Sequence, residues 1–171
     1  MFISVALICG CDSVWSRKQV AEDLTAAAKR VEANPGDVNS LRQIEDAANG
    51  SYRFEQCYAL GTLGRLGKGA LPALPTIQRH LLSDDPYIRD AAAHATFRLG
   101  ADAQPLRAEL ARLIRMHVNE GAAMYAVRAL GEIGNPSPDV FEVLQFAEQS
   151  DCALVSEAAS KVLAQFGAVE Q

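Results

Sequence analysis

Four stretches of this chain end in the same short pattern, an apolar residue followed by glycine. They are Arg65-Leu66-Gly67, Arg98-Leu99-Gly100, Glu132-Ile133-Gly134 and Gln165-Phe166-Gly167. The closing glycines are 33, 34 and 33 residues apart. A period of that length is typical of stacked repeats, in which each unit is one small supersecondary structure. Such an architecture favours an extended surface over an enclosed active site.

The residues before each glycine follow a helical period. An alanine stands eight residues before every one of the four glycines: Ala59, Ala92, Ala126 and Ala159. The positions one, four and eight residues before the glycine lie on one face of an α-helix. The constant alanine predicts close helix–helix approach, and the glycine suits the left-handed conformation that follows a helix.

A second apolar-periodic segment precedes each glycine-ended helix. These segments predict first helices in units spanning about 38–67, 70–100, 103–134 and 138–167, and residues 16–34 predict one more helix at the N-terminus. Asp85 is expected to cap the second helix of its unit, with Pro86 in the first turn. No stretch alternates apolar and polar residues as a strand would. The predicted fold class is all-α.

Residues 70–100 resemble a short HEAT repeat of the phycobilin-lyase-type HEAT-like family. The shared features are prolines in the first helix (Pro72, Pro75), the Asp84–Pro86 turn, Arg89 early in the second helix, and an alanine-rich run ending in Leu-Gly. The resemblance extends over roughly 38–167, and the first and last units depart from it as terminal units of an array do. It implies an α-α superhelix, a HEAT-like solenoid of about four two-helix repeats with an N-terminal helix.

The N-terminal residues resemble a bacterial lipoprotein signal. An apolar run from Met1 to Ile8 leads through Cys9-Gly10 to Cys11, after which the chain turns polar. The resemblance implies lipidation of Cys11 and a location in the bacterial cell envelope; the alternative is a buried N-terminal segment in a cytoplasmic protein. The charged start usual in secretory signals is missing. The predicted organisation is a signal segment 1–10, an anchor, spacer and capping helix 11–36, and a repeat domain 37–167.

Charge and side-chain chemistry argue against several functions. The net charge of −5 lacks the basic footprint of nucleic-acid binding. His80, His94 and His117 fall in different helices, and no zinc-binding or nucleophile motif is present. Cys57 and Cys152 are expected to lie too far apart for a disulfide. We therefore expect no enzymatic activity, no cofactor and no metal.

A stripe of cationic side chains is the candidate binding site. The positions six and two residues before the glycines share one side of each second helix. We call this stripe the basic ridge: Arg65, His94, Arg98, Arg128 and Lys161. Tyr58 and Tyr125 occupy matching positions that border it. Polar helix faces usually only meet water, but array faces often bind partners.

Two functions remain open from the sequence. The first is a non-catalytic interaction scaffold, monomeric or weakly oligomeric, that binds an acidic protein partner on a concave face and is anchored to a membrane through Cys11. The second, implied by the family resemblance alone, is a HEAT-type bilin lyase or chaperone-like module. The single tryptophan, Trp15, precedes the repeats, which favours the scaffold over a bilin-binding groove.

Overall fold

The chain folds into consecutive antiparallel helices. The computed structural model describes residues 14–134 and 137–167, which are all-helical and contain no strand, so the predicted fold class is confirmed. The helices are α1 (Val14–Ala33), α2 (Val38–Ala48), α3 (Arg53–Leu66), α4 (Leu74–Leu81), α5 (Pro86–Leu99), α6 (Arg107–His117), α7 (Gly121–Ile133), α8 (Pro138–Glu148) and α9 (Ala153–Gly167). The pairs α2–α3, α4–α5, α6–α7 and α8–α9 match the predicted units. Cys11 lies outside the described residues.

Glycine makes the turn after three of the second helices. Gly67, Gly100 and Gly134 have φ of 53°, 60° and 67°. Their ψ values of −123°, −134° and −167° are extended rather than helical, a region that is essentially restricted to glycine. The prediction of positive φ is confirmed at these three positions. It is wrong for Gly167, which is the last residue of α9 and has no positive φ.

The first helices of the second and third units begin later than predicted. A 3₁₀ segment runs from Gly67 to Ala73, and another from Gly100 to Leu106, before α4 and α6 begin. Each segment contains a proline, Pro72 or Pro105, which has no N–H to donate to an α-helical hydrogen bond. The prolines therefore delay the α-helix by about one turn.

The second helices pack side by side in sequence order: α3 on α5, α5 on α7, and α7 on α9. The four periodic alanines, Ala59, Ala92, Ala126 and Ala159, are fully buried between them. At two of these interfaces a glycine permits the approach. A Cβ at Gly64 would lie 2.7 Å from the Cα of Ala95, and one at Gly131 would lie 2.8 Å from Cγ2 of Val162.

Helix α1 belongs to the layer of second helices. It packs side by side with α3, as α3 does with α5, and it also packs against α2. One side of α1 is apolar and packs on the core: Leu24, Ala27, Ala28 and Val31 are buried, and Val20 is partly buried. Thr25 and Tyr58 join the two helices through a 3.0 Å hydrogen bond between their hydroxyl groups.

The first helices form the opposite layer and meet each other less extensively than the second helices do. Their apolar faces are buried against the second helices, as Leu41, Ile44, Ile77, Leu110 and Val143 illustrate. None of the described helices combines the length and apolar character needed to cross a bilayer.

Candidate protein-binding face

A cluster of aromatic and cationic side chains joins α5 to α7 on the exposed side of the second-helix layer. The ring of His94 lies 4.8 Å from that of Tyr125, and the ring of Phe97 lies 6.3 Å from Tyr125. The guanidinium group of Arg128 sits 4.2 Å above the centre of the Phe97 ring. Stacking on an aromatic face holds a cation in place while leaving its N–H groups free to bind a partner.

The charge of His94 differs from what its place in the basic ridge suggested. Burial lowers the pKa of His94 below its ordinary 6.5, and the nearby cation Arg98 lowers it further, while the carboxylate of Asp90 opposes the shift. The neutral imidazole is therefore the main form at pH 7. His94 contributes an aromatic surface and a hydrogen-bonding nitrogen rather than a positive charge.

Arg65 and Tyr58 form a separate contact one unit earlier. The Arg65 guanidinium lies 5.8 Å from the centre of the Tyr58 ring and donates a 3.0 Å hydrogen bond to Oγ1 of Thr62. Tyr58 also stacks on Phe54, with ring centres 6.0 Å apart. Tyr58 is half-buried and serves mainly as packing between α1 and α3, whereas the side chain of Arg65 is exposed.

A cleft of about 440 Å³ opens between α7 and α9. Its apolar lining comes from Phe97, Met124, Leu154 and Val162. Leu154 is 61% exposed in spite of its apolar side chain. A pocket with an apolar base and a few charged groups at its rim is the usual form of a ligand or peptide site.

The rim of this cleft carries both signs of charge. Arg128 and Lys161 are the cations, and Glu132 and Glu157 are the carboxylates. Lys161 Nζ lies 2.6 Å from Glu157 Oε1, and that hydrogen bond lowers the pKa of Glu157. The predicted basic ridge is therefore divided: Lys161 is already paired with Glu157, whereas the ridge residues Arg65, Arg98 and Arg128 are exposed and have no ion pair among the described residues.

Most of the cleft lining was not predicted, including Phe97, Leu154 and Glu157, which shape the cleft or its charge. The sequence carried one signal for Phe97, which stands three residues before Gly100, where the first and third units have Gly64 and Gly131 and the fourth has Ala164. A large aromatic residue at a position that is glycine or alanine in the other units indicates a side chain directed away from the close helix contact.

The remaining candidates for site chemistry are metal-ligand groups and the cysteine thiols. Residues 14–134 and 137–167 contain no group of three His, Cys, Asp or Glu side chains placed to hold a metal ion. Cys57 and Cys152 are free thiols and are half-buried. Comparison of the chain with protein-family models, curated proteins and solved structures finds no match.

Proposed function

We propose that this protein is a non-catalytic interaction scaffold, a HEAT-like solenoid whose second-helix face binds a protein segment. The support is the side-by-side packing of α1, α3, α5, α7 and α9. Because the second helices contact each other more extensively than the first helices do, the stack is expected to curve with the second helices on its concave side. Concave faces of repeat arrays are their usual binding surfaces.

One observation carries the proposal: the apolar cleft between α7 and α9 lies beside exposed arginines on the same helical layer. Arg128 borders the cleft. Both Arg98 and Arg128 lie close enough to His94 to lower its pKa. Guanidinium groups bind carboxylates in paired hydrogen bonds. The partner segment is therefore expected to place an apolar side chain among Phe97, Met124 and Leu154 and acidic side chains on Arg98 and Arg128.

The proposal includes attachment to a membrane through lipidated Cys11. Its support is the apolar run that leads to Cys11 and the polar residues that follow it. Mass spectrometry of the mature N-terminus from the native host tests this part. A diacyl or triacyl Cys11 at residue one would support it, and an intact unmodified Met1 would contradict it.

Partner recovery with matched charge reversals tests the binding face. Wild type, R98E/R128E/K161E and the control R42E/R112E/R115E are used to capture proteins from the envelope fraction. The control reverses exposed cations of the first helices α2 and α6 and changes the net charge equally. We expect the face variant to weaken recovery of the wild-type partner by roughly tenfold or more, the factor that corresponds to 1.4 kcal/mol of binding free energy. Equal losses from both variants would mean that net charge, and not this face, governs the interaction.

A further inference from the structure

A groove of about 500 Å³ lies at the edge of the molecule where the second helices begin. It is formed by the first turns of α1, α3 and α5. We call its exposed members the tyrosine–arginine patch: Arg17, Tyr52, Arg53 and Tyr87. Phe54 and Cys57 form its floor. This patch is separate from the cleft between α7 and α9 and takes no part in the proposed partner binding.

The patch is organised by cation–aromatic contacts that cross from helix to helix. Arg17 of α1 lies 5.5 Å from the centre of the Phe54 ring of α3. Arg53 of α3 lies 5.0 Å from the centre of the Tyr87 ring of α5 and also pairs with Asp85 at 2.7 Å. Even so, Tyr52 and Tyr87 remain 55% and 64% exposed. The Tyr87 ring is therefore held on the surface by Arg53 without being buried, and the exposed Tyr52 side chain lines the same groove.

Folding does not account for tyrosine at position 52. Tyr52 is the N-cap residue of α3, has an extended backbone, and makes no side-chain capping hydrogen bond. Ser, Thr, Asp or Asn at an N-cap stabilises a helix by about 1 kcal/mol relative to residues that cannot cap. The equivalent position of the next unit has Asp85, which does cap α5. Tyr52 therefore exposes an aromatic ring at a position where a capping residue would stabilise α3.

The length of the chain before α1 indicates what that contact is. Only the residues between Cys11 and Val14 separate the proposed lipid anchor from the first residue of α1. The three residue steps from Cys11 to Val14 span at most roughly 10 Å when fully extended. A lipid attached at Cys11 therefore keeps the start of α1 within about that distance of the bilayer surface, and Arg17 lies less than one helical turn further along α1.

We infer that the tyrosine–arginine patch lies against the membrane surface and orients the array on it, an inference that rests on the proposed anchor at Cys11. Tyrosine is enriched where its apolar ring meets hydrocarbon and its hydroxyl meets water. Arg17 and Arg53 would meet lipid phosphates, while Asp85 stays paired with Arg53. The first turns of α1, α3 and α5 also present helix N-termini, which favour anions. The occupant is a bilayer containing anionic phospholipid.

Depth-dependent fluorescence quenching tests this orientation. The full chain, purified in its acylated form with Trp15→Phe to remove the single native tryptophan, carries either Tyr87→Trp in the patch or Gln104→Trp at the opposite edge. It is reconstituted into phosphatidylcholine–phosphatidylglycerol vesicles with brominated acyl chains. We expect emission from position 87 to be quenched and emission from position 104, which is exposed, to be unchanged. Equal quenching at both positions, or none at either, would overturn the inference and leave the anchor intact.

The unacylated chain supplies an independent arm. Its partitioning onto the same anionic vesicles is compared with that of Tyr52→Ser/Tyr87→Ser and of the control Val38→Ser/Phe146→Ser, which removes exposed apolar groups outside the patch. Serine at position 52 can cap α3, so the patch variant should fold. We expect roughly tenfold weaker partitioning for the patch variant alone, since its two aromatic rings no longer enter the interface. If mass spectrometry shows that Cys11 is unmodified, the proposed anchor is wrong, and this vesicle experiment alone tests membrane contact by the patch. Weaker vesicle binding by the patch variant only would support that contact. Absence of vesicle binding by the wild type would reject it.

Discussion

Alanine substitution at two glycines of α3, which are three residues apart, is expected to change the free energy of unfolding in opposite directions. A Cβ at Gly64 would lie 2.7 Å from the Cα of Ala95, a backbone atom that cannot move without displacing α5. Gly64→Ala should therefore lower the free energy of unfolding by about 1–3 kcal/mol, the usual cost of overpacking. A Cβ at Gly61 would meet nothing within 4 Å, so Gly61→Ala should stabilise the protein by about 0.5–1 kcal/mol through helix propensity.

Urea denaturation of both variants checks the pair. Gly61→Ala is the matched control, because it makes the same chemical change in the same helix. Equal effects of the two substitutions would show that helix propensity, and not contact between α3 and α5, determines the need for glycine at position 64.

The lowered pKa values of His80 and His94 predict that the protein loses stability in mild acid. Burial lowers the pKa of His80 and of His94 below 6.5, so the unfolded chain binds more protons than the folded chain as the pH falls below that value. The free energy of unfolding should therefore fall with decreasing pH, by at most about 1.4 kcal/mol per pH unit for each histidine. Glu120, whose pKa lies below its ordinary 4.5, keeps its stabilising charge until the pH is lower still.

Chemical denaturation at a series of pH values measures that slope. Removal of the titrating group in His80→Gln should flatten the dependence below about pH 6.5, and the double variant with His94→Gln should flatten it further. An unchanged slope in both variants would assign the acid sensitivity to other groups. Asn49, whose Oδ1 lies 3.2 Å from His80 Nε2, can still bond to glutamine at position 80.

At the scale of the helix, the buried Arg89 is the main polar connection between units. Arg89 is 4% exposed and its Nη2 lies 2.5 Å from Oε2 of Glu120, while Nη1 donates to the carbonyl of Ser83. His117 also contacts Glu120, with Nδ1 2.9 Å from Oε1. Although burial alone raises the pKa of Glu120, the hydrogen bonds from Arg89 and His117 lower it overall. This network ties the start of α5 to the turn between α6 and α7.

Two substitutions of Glu120 should lower the free energy of unfolding by different amounts. Glu120→Ala leaves a buried guanidinium without its counter-ion and should cost about 3 kcal/mol or more of unfolding free energy. Glu120→Gln keeps an acceptor oxygen and should cost roughly half as much. Thermal unfolding of both, beside Glu142→Ala on the exposed face of α8 as control, measures the difference. Equal costs for Ala and Gln would indicate that an acceptor oxygen at position 120 contributes little once the charge is lost.

The sequence predicted the helices better than their connections. The glycine period and the repeated alanines predicted the second helices. A helix contact that recurs in every unit requires the same small residue each time, as Ala59 and Ala92 show. The 3₁₀ segments before α4 and α6 were missed, since Pro72 and Pro105 are compatible with the first turn of an α-helix as well. The place of α1 in the second-helix layer depends on tertiary packing that its amphipathic pattern does not specify.

At the scale of the whole molecule, the sequence carried more about the position of the candidate face than about its chemistry. Offsets from the glycines predict one shared side for Arg98, Arg128 and Tyr125, and all three lie near His94 in the structure. The neutral state of His94 and the pairing of Lys161 with Glu157 depend on burial and on a carboxylate four residues away in α9. Offsets from the glycines compare equivalent positions of the repeats and contain no information about burial or about neighbouring charged side chains.

The proposed array makes a prediction about how instability spreads. In a stack of repeats each unit contacts only its neighbours, so damage should be greatest near its source. Leu24→Ala, at a 3% exposed site in α1, should cost about 2–5 kcal/mol and speed amide hydrogen exchange most in α1, α2 and α3. Leu144→Ala, at a fully buried site in α8, is the matched control and should act mainly on α7, α8 and α9. Mass-spectrometric hydrogen exchange at low denaturant separates these patterns. If either variant accelerated hydrogen exchange equally in all helices, the protein would unfold as one cooperative unit. Cooperative unfolding of that kind would remove the physical basis for treating the second-helix face as the modular surface of a solenoid.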